Sequence, residues 1–334
     1  MSIPVTVIIP TLNEKDHIQS CLESLQSQDY SQIIEILVVD GGSVDGTQDI
    51  VLAAGGRVRL IENPRMTAAA AMNIGIQNCS TDVFVRIDAH TQYATDYVSR
   101  SVSTFVETGA QVVGGPMRPI SDSKFGNAVA AVTTSPLGIG PGRFHYSEKI
   151  EEVETVYLGI FNKVFVQNVG CYDETNLQWA AEDQELNYRI RKAGGKVLLD
   201  PRIKSSYFPR NNAWSLARQY HNYGMCKAST LAKHKTLPYW RPLVPAFMVF
   251  VATLWVAATI YLGMPYVAIA PIFLYAVGAF CVGLKLRKAG HVSTRQVALV
   301  IAICHWCYGF GFWRGIFRIA TFRKFDTRPK NGRR

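Results

Sequence analysis

Charge is missing from two long stretches in the C-terminal third of the chain. Leu243 to Leu262 contains no Lys, Arg, Asp or Glu, and neither does Tyr266 to Leu284. About twenty apolar residues cover a hydrocarbon core ~30 Å thick, so spans are expected at about 243–262 and 266–284. Acidic residues are also in short supply: 25 Asp and Glu stand against 35 Lys and Arg, a formal net charge of +10. The basic excess makes no stripe with interleaved aromatics, which argues against nucleic acid. It gathers beside the apolar runs instead, as Lys233, Lys235 and Arg241 before the first and Lys285, Arg287, Lys288 and Arg295 after the second. Arg314, Arg318, Arg323, Lys324, Arg328, Lys330, Arg333 and Arg334 fill the tail. Anionic membrane lipid is the expected partner.

The link Gly263-Met264-Pro265 has no charge at all. The positive-inside tendency then puts the N-terminal domain, the 285–295 loop and the tail on the cytoplasmic side of an inner membrane. A third apolar segment, about 297–313, is shorter and holds His305. With both flanks on one side it is expected to be re-entrant or interfacial. Ile3 to Pro10 lacks a basic n-region and reads as a strand, so no signal peptide is expected. Seven cysteines supply no disulfide framework, and the C-x-x-C of Cys304 and Cys307 has no second pair to complete a zinc site. Helix packing is their expected role. Internal repeats and low-complexity segments are absent.

At 334 residues and 48% hydrophobic content, the chain suits one large domain with an appendage. The expected division is a domain at 1–210, an interfacial amphipathic region at 211–241 and a membrane region at 242–334. Within the first, Val5 to Ile9, Glu35 to Asp40, Val58 to Ile61 and Val83 to Ile87 read as strands. Ile18, Cys21, Leu22 and Leu25 recur at helical spacing, Asp45-Gly46-Thr47 opens a second helix, and Thr67 to Gln77 is an alanine-rich third. This βαβαβαβ order predicts an α/β fold with a mostly parallel sheet and right-handed crossovers. Ser135 to Arg143, crowded with Gly and Pro, is expected to be an irregular loop acting as a lid or binding loop.

Two strands end in aspartates, Asp40 and Asp88. A carboxylate at the carboxyl end of a buried parallel strand faces the crevice where open α/β sheets bind ligands. Asp88 is followed by Ala89 and His90, so a carboxylate oxygen and an imidazole nitrogen two residues apart can face one cation. A nitrogen ligand shifts preference from magnesium toward manganese. Glu182-Asp183 opens a helical stretch, where the helix dipole alone would favour acidic residues.

Four motifs stand in order: Val7-Ile8-Ile9-Pro10-Thr11-Leu12-Asn13-Glu14, the run from Val38-Val39-Asp40 to Thr47, Arg86-Ile87-Asp88-Ala89-His90, and Ala181-Glu182-Asp183-Gln184-Glu185-Leu186. Together they resemble the inverting family 2 glycosyltransferases of GT-A fold. Tyr207-Phe208-Pro209-Arg210, Arg218-Gln219-Tyr220 and Tyr223-Gly224 are similar to the ExoA-type branch that builds succinoglycan exopolysaccharide.

The resemblance implies that Pro10, Thr11, Asn13 and Glu14 line a nucleotide pocket and that Asp40 accepts a uracil imide proton. It implies that Asp88 and His90 hold a divalent metal, with Mn2+ preferred and Mg2+ the alternative, although the family more often has a second aspartate at the position of His90. Asp183 is the implied general base. Glu182, Arg143, Arg210 and Gln219 are candidates for acceptor or phosphate, and Arg65 for the diphosphate. The helical region with Trp214, Leu216, Ala217, Tyr220, Tyr223, Met225 and Leu231 is expected at the membrane surface. The implied reaction moves a hexose from a UDP-sugar to a polyprenyl-diphosphate-linked saccharide with inversion. A Gln-x-x-Arg-Trp segment is lacking, so transfer is expected to be non-processive. The alternatives are a polyprenyl-phosphate sugar synthase, or a membrane scaffold that binds sugar nucleotides without catalysis.

Overall fold

The computed structural model describes residues 2–139, 142–175, 177, 180–236, 240–290 and 292–322. The basic tail at 323–334, Gly140 and Pro141 of the expected loop and the side chain of Lys288 lie outside the described residues.

The first strand, β1 (Val5–Thr11), has Val5, Val7, Ile8 and Ile9 fully buried, as expected of a strand covered on both faces. It is followed by α1 (Lys15–Gln26), β2 (Ile33–Asp40), α2 (Thr47–Ala54), β3 (Val58–Glu62), α3 (Ala68–Asn78) and β4 (Val83–Arg86). Then come β5 (Thr91–Tyr93), α4 (Tyr97–Thr108), β6 (Val112–Gly114), β7 (Met117–Pro119), α5 (Lys124–Thr133) and α6 (Pro136–Ile139). Next are β8 (Glu151–Glu152), β9 (Gly159–Asn162), α7 (Lys163–Asn168), α8 (Glu182–Lys192), β10 (Val197–Leu199) and β11 (Ser205–Tyr207). The chain continues through α9 (Ala213–His234), α10 (Leu243–Tyr261), α11 (Ala270–Gly290) and α12 (Thr294–Phe322).

Two compact units emerge, residues 2–118 with 143–208, and residues 119–142 with 209–322. The chain divides at 208/209, and residues 119–142, with α5 and α6, group with the C-terminal helices. The physical reason is apolar: Ala128, Val129 and Val132 of α5 share a buried cluster with Val297, Val300 and Ile301 of α12.

In the first unit an eight-stranded sheet has the order β3-β2-β1-β4-β9-β6-β10-β8. The first four strands are parallel, with Val7 opposite Ile36 on one side and Val85 on the other. The expected parallel sheet becomes mixed beyond β4, where β9 runs antiparallel to both β4 and β6. Alternate residues face opposite layers. Val5, Val7 and Ile9 pack with Ile18, Leu22 and Leu25 of α1 and with Tyr97 of α4, while Ile8 and Phe84 pack with Met72 and Ile76 of α3 and with Leu186 and Ile190 of α8. Because α3 carries Gly75 where an added Cβ would strike the Ile8 side chain, helix and sheet approach closely. The strand order reverses between β1 and β4, which opens a crevice at their carboxyl ends.

In the second unit, α9 lies along α12 through glycine contacts: a Cβ on Gly224 would strike the Tyr308 carbonyl, and one on Gly311 the His221 carbonyl. His305 Nε2 lies 3.0 Å from the Gly138 carbonyl oxygen and its Nδ1 2.9 Å from Tyr275 Oη. Gly138 belongs to α6, so part of the segment expected to be wholly irregular forms a helical turn. Leu243–Tyr261, Pro265–Arg287 and Thr294–Thr321 are each long and apolar enough to cross a membrane by length and composition. The third was expected to be short, at 297–313; it is one unbroken helix of 29 residues.

Candidate active site

The loops after β1 and β2 are laced together at the crevice. Asn13 adopts a left-handed conformation with φ 55, and its Oδ1 accepts from the Val44 N–H at 3.0 Å. Its own N–H donates to Ser43 Oγ at 2.7 Å, the Glu14 N–H to Thr47 Oγ1 at 2.9 Å and the Lys15 N–H to Asp45 at 3.1 Å. Asp40 closes β2 beneath this lacing. Its Oδ2 accepts from the Gly42 and Ser43 N–H groups at 3.0 and 2.8 Å and from Gln48 Nε2 at 2.7 Å. Its Oδ1 accepts from Ser43 Oγ at 2.5 Å and Thr11 Oγ1 at 3.4 Å. The acceptor capacity of Asp40 is thus spent on shaping the turn, and any base imide reaching it must displace one of these donors.

Strand β4 delivers the charged centre. Arg86, with 7% of its side chain exposed, places Nε 3.4 Å from Asp88 Oδ1 and Nη2 3.1 Å from Glu182 Oε1. Its guanidinium carbon lies 5.8 Å from the centroid of the Tyr172 ring. Burial works against that charge, but Asp88, Tyr172 and Glu182 hold it protonated. Asp88 also accepts from Tyr157 Oη at 3.3 Å, and its own N–H donates to Tyr93 Oη at 2.8 Å. Burial opposes ionisation of Asp88, yet Arg86 and then His90 keep its carboxyl below the ordinary aspartate range. His90 follows on the same loop, with Nδ1 3.3 Å from Glu14 Oε1.

Opposite Arg86, α8 begins at Glu182 after Ala181, a left-handed residue with φ 60 that turns the chain into the helix. Glu182 is buried against Arg86, whereas Asp183 is half-buried and accepts from the Gln184 N–H at 2.7 Å. Burial first, and the charge of Glu182 second, push the Asp183 carboxyl up to about 7; Arg86 acts in the opposite sense. The structure thereby brings Asp88, Glu182 and Asp183 into one cluster around a single guanidinium, although about a hundred residues separate the two ends of the set. A carboxyl with this displaced ionisation, open to a crevice, suits proton abstraction near neutral pH.

The other expected residues make contacts of their own. Arg65 pairs with Glu174 at 2.5 Å, and Arg143 pairs with Glu151. Arg210 is exposed and belongs to the second unit, as does Gln219, whose Nε2 donates to Tyr223 Oη at 3.0 Å. Arg86 stands in one of the four motifs but has no role assigned to it there, and Tyr157 and Tyr172 lie outside them. For Arg86 a signal existed, a charge inside the otherwise apolar strand Val83-Phe84-Val85-Arg86; the tyrosines carried none.

Among the described residues no group of three or more His, Cys, Asp or Glu forms a complete metal cage. Asp88 and His90 nonetheless fit a cation that takes its remaining ligands from a bound substrate, since the Asp88 carboxylate is held ionised at the mouth of β4.

Residues 6–169 match the family described as Glycosyl transferase family 2. The chain is 29% identical to the succinoglycan biosynthesis protein ExoA of Rhizobium meliloti, over 92% of this chain and 93% of that protein. It is 25% identical, over 94% of this chain and 97% of the relative, to the dolichyl N-acetyl-alpha-D-glucosaminyl phosphate 3-beta-D-2,3-diacetamido-2,3-dideoxy-beta-D-glucuronosyltransferase of Methanococcus voltae. Among solved structures, the mannosyltransferase PcManGT from Pyrobaculum calidifontis, in complex with GDP-Man and Mn2+, superposes with a TM-score of 0.58 at 19% identity, covering 91% of this chain and 87% of that one. That likeness establishes the shared GT-A fold.

Proposed function

Because this chain carries a family 2 glycosyltransferase domain, we propose that it moves a hexose from a UDP-sugar to a polyprenyl-diphosphate-linked saccharide, inverting the anomeric centre. The observation that carries this reading is the Asp183 carboxyl, poised at about 7 within the cluster that also holds Asp88. Asp183 takes the proton of the acceptor hydroxyl as that oxygen attacks the anomeric carbon from the face opposite the leaving group. An α-linked donor then yields a β-linkage. Asp88 and His90 are the residues that hold the divalent cation, with manganese favoured by the imidazole. When bound, such a cation offsets the negative charge that gathers on the departing diphosphate. Arg65 and Arg143 are paired through Nη1 to Glu174 and Glu151 and keep their other nitrogens for a phosphate.

A lipid-linked acceptor agrees with the apolar helices of the second unit and with relatives whose names specify succinoglycan biosynthesis and a dolichyl-phosphate-linked acceptor. The flanking positive charge supports a catalytic domain on the cytoplasmic face of an inner membrane. The test is a screen of uridine and guanosine diphosphate sugars with manganese in detergent, following donor hydrolysis and transfer. Turnover of a UDP-hexose that chelation abolishes and Asp183→Asn removes is the expected result. Turnover of guanosine donors alone overturns the donor class, and turnover that persists in Asp183→Asn overturns the base.

A further inference from the structure

Three carboxylates and one buried guanidinium meet in a cluster, and only two of the three are engaged by that cation. Arg86 Nε addresses Asp88 and Nη2 addresses Glu182, a separate nitrogen of the planar group for each acid. Nη1 is buried and has no hydrogen-bond partner among the described residues. We propose that Arg86 is a positioning residue: by clamping Asp88 and Glu182 with separate nitrogens it reserves Asp183 as the proton acceptor of the transfer reaction, an inference that rests on the reading of Asp183 given above.

Geometry supplies the argument. Adjacent acids at the start of α8 repel one another, and a single proton shared between them could settle on either. The guanidinium breaks that symmetry. Glu182 is buried and bonded to a permanent cation, which commits its carboxyl to Arg86, and it stands beside Asp183. The groups facing Asp183 are Glu182 on its own helix and Arg86 and Asp88 from β4 and the residues that follow it, with the Tyr172 ring beside Arg86. A lysine reproduces this poorly, because one nitrogen on a flexible stem would have to serve both acids, whereas the rigid guanidinium gives each its own. The same clamp fixes the Asp88 carboxylate through Nε while Tyr157 Oη holds its other oxygen.

The test compares pH profiles of kcat/KM for the full chain in detergent, with any UDP-sugar that turns over. Glu182→Gln removes the neighbouring charge and leaves the fold's contacts almost unchanged in shape. Its acid limb is expected to move down by about one pH unit, with kcat/KM at high pH within about tenfold of the unsubstituted chain. Arg86→Lys is expected to lose about a hundredfold in kcat while UDP binding, read by fluorescence quenching or calorimetry, weakens by no more than about threefold. Adding Glu182→Gln to Arg86→Met should restore part of the activity lost in Arg86→Met alone, since cation and anion then leave together. An acid limb that survives Asp183→Asn overturns the base assignment and this inference with it. A limb that needs Asp183 but stays in place in Glu182→Gln, with Arg86→Lys as active as the unsubstituted chain, overturns this inference alone.

Discussion

Burial and the adjacent Glu182 push the Asp183 carboxyl up to about 7, so below that value the fraction able to accept a proton falls about tenfold with each pH unit. With Asp183 in the proposed role of base, acid protonates it and silences it, so activity is expected to rise as pH climbs through the neutral range. Initial rates measured between about pH 5 and pH 9 should show this ascending limb, and Asp183→Asn should abolish it with a rate loss of about 10²–10⁴-fold. Asp88 makes a different prediction, because Arg86 and His90 hold its carboxyl low and it stays charged across that range. Asp88→Asn keeps the shape and removes the charge. Mn2+ binding, followed by electron paramagnetic resonance in the presence of UDP, should weaken about tenfold or more. Both aspartates were legible in the sequence because each stands at a chain position where the fold opens, after a buried strand or at the head of a helix. Arg86 was legible only as an oddity. Its partner Glu182 is 96 residues away, and the pairing depends on how α8 is brought beside β4, which no local pattern encodes. Asp40 shows the converse, a motif residue expected to meet a base whose oxygens the structure commits to Gly42, Ser43 and Gln48.

At the scale of elements, the first four strands and the helices between them were readable to within a residue or two, since buried parallel strands are continuous apolar runs and amphipathic helices show their period. The direction of β9 was not, because a four-residue apolar strand has the same pattern whichever way it runs. The length of α12 was underestimated for another reason: Arg314 and Arg318 were treated as an end, but a charge at the margin of a membrane does not stop a helix, and Thr294–Phe322 contains no proline. Its glycines do structural work that composition alone conceals. Gly311 sits against the His221 carbonyl of α9, where a side chain has no room. Gly311→Leu should therefore separate α9 from α12 and lower the thermal midpoint of the detergent-solubilised protein by several degrees, as overpacking costs about 1–3 kcal/mol. Gly278 on α11 has nothing within 4 Å of an added Cβ. Gly278→Ala should leave that midpoint unchanged or raise it slightly, and the two variants together separate a packing effect from a general effect of losing glycine.

For the whole molecule, the question is which force holds it to a membrane. The chain offers two, and only one of them is weakened by salt. On α10 and α11, Phe247, Leu254, Phe273 and Leu274 are each more than half exposed, a density of open apolar surface that soluble proteins do not carry. The basic residues flanking these helices supply attraction to anionic lipid, worth about 1 kcal/mol each near the surface and screened within a Debye length. If charge dominated, salt at about 1 M, where that length shrinks to ~3 Å, would release the protein from membranes. Burial of helices long enough to cross the hydrocarbon is indifferent to salt, so the protein should stay in the membrane pellet through about 1 M salt and through alkaline carbonate, and leave only with detergent. Quantifying the pelleted fraction by immunoblot across these washes decides between the two. Release by salt alone would reduce the apolar helices to an interfacial anchor, whereas retention makes the basic flanks a device for orientation and lets a lipid-linked acceptor share the bilayer in which the second unit is embedded.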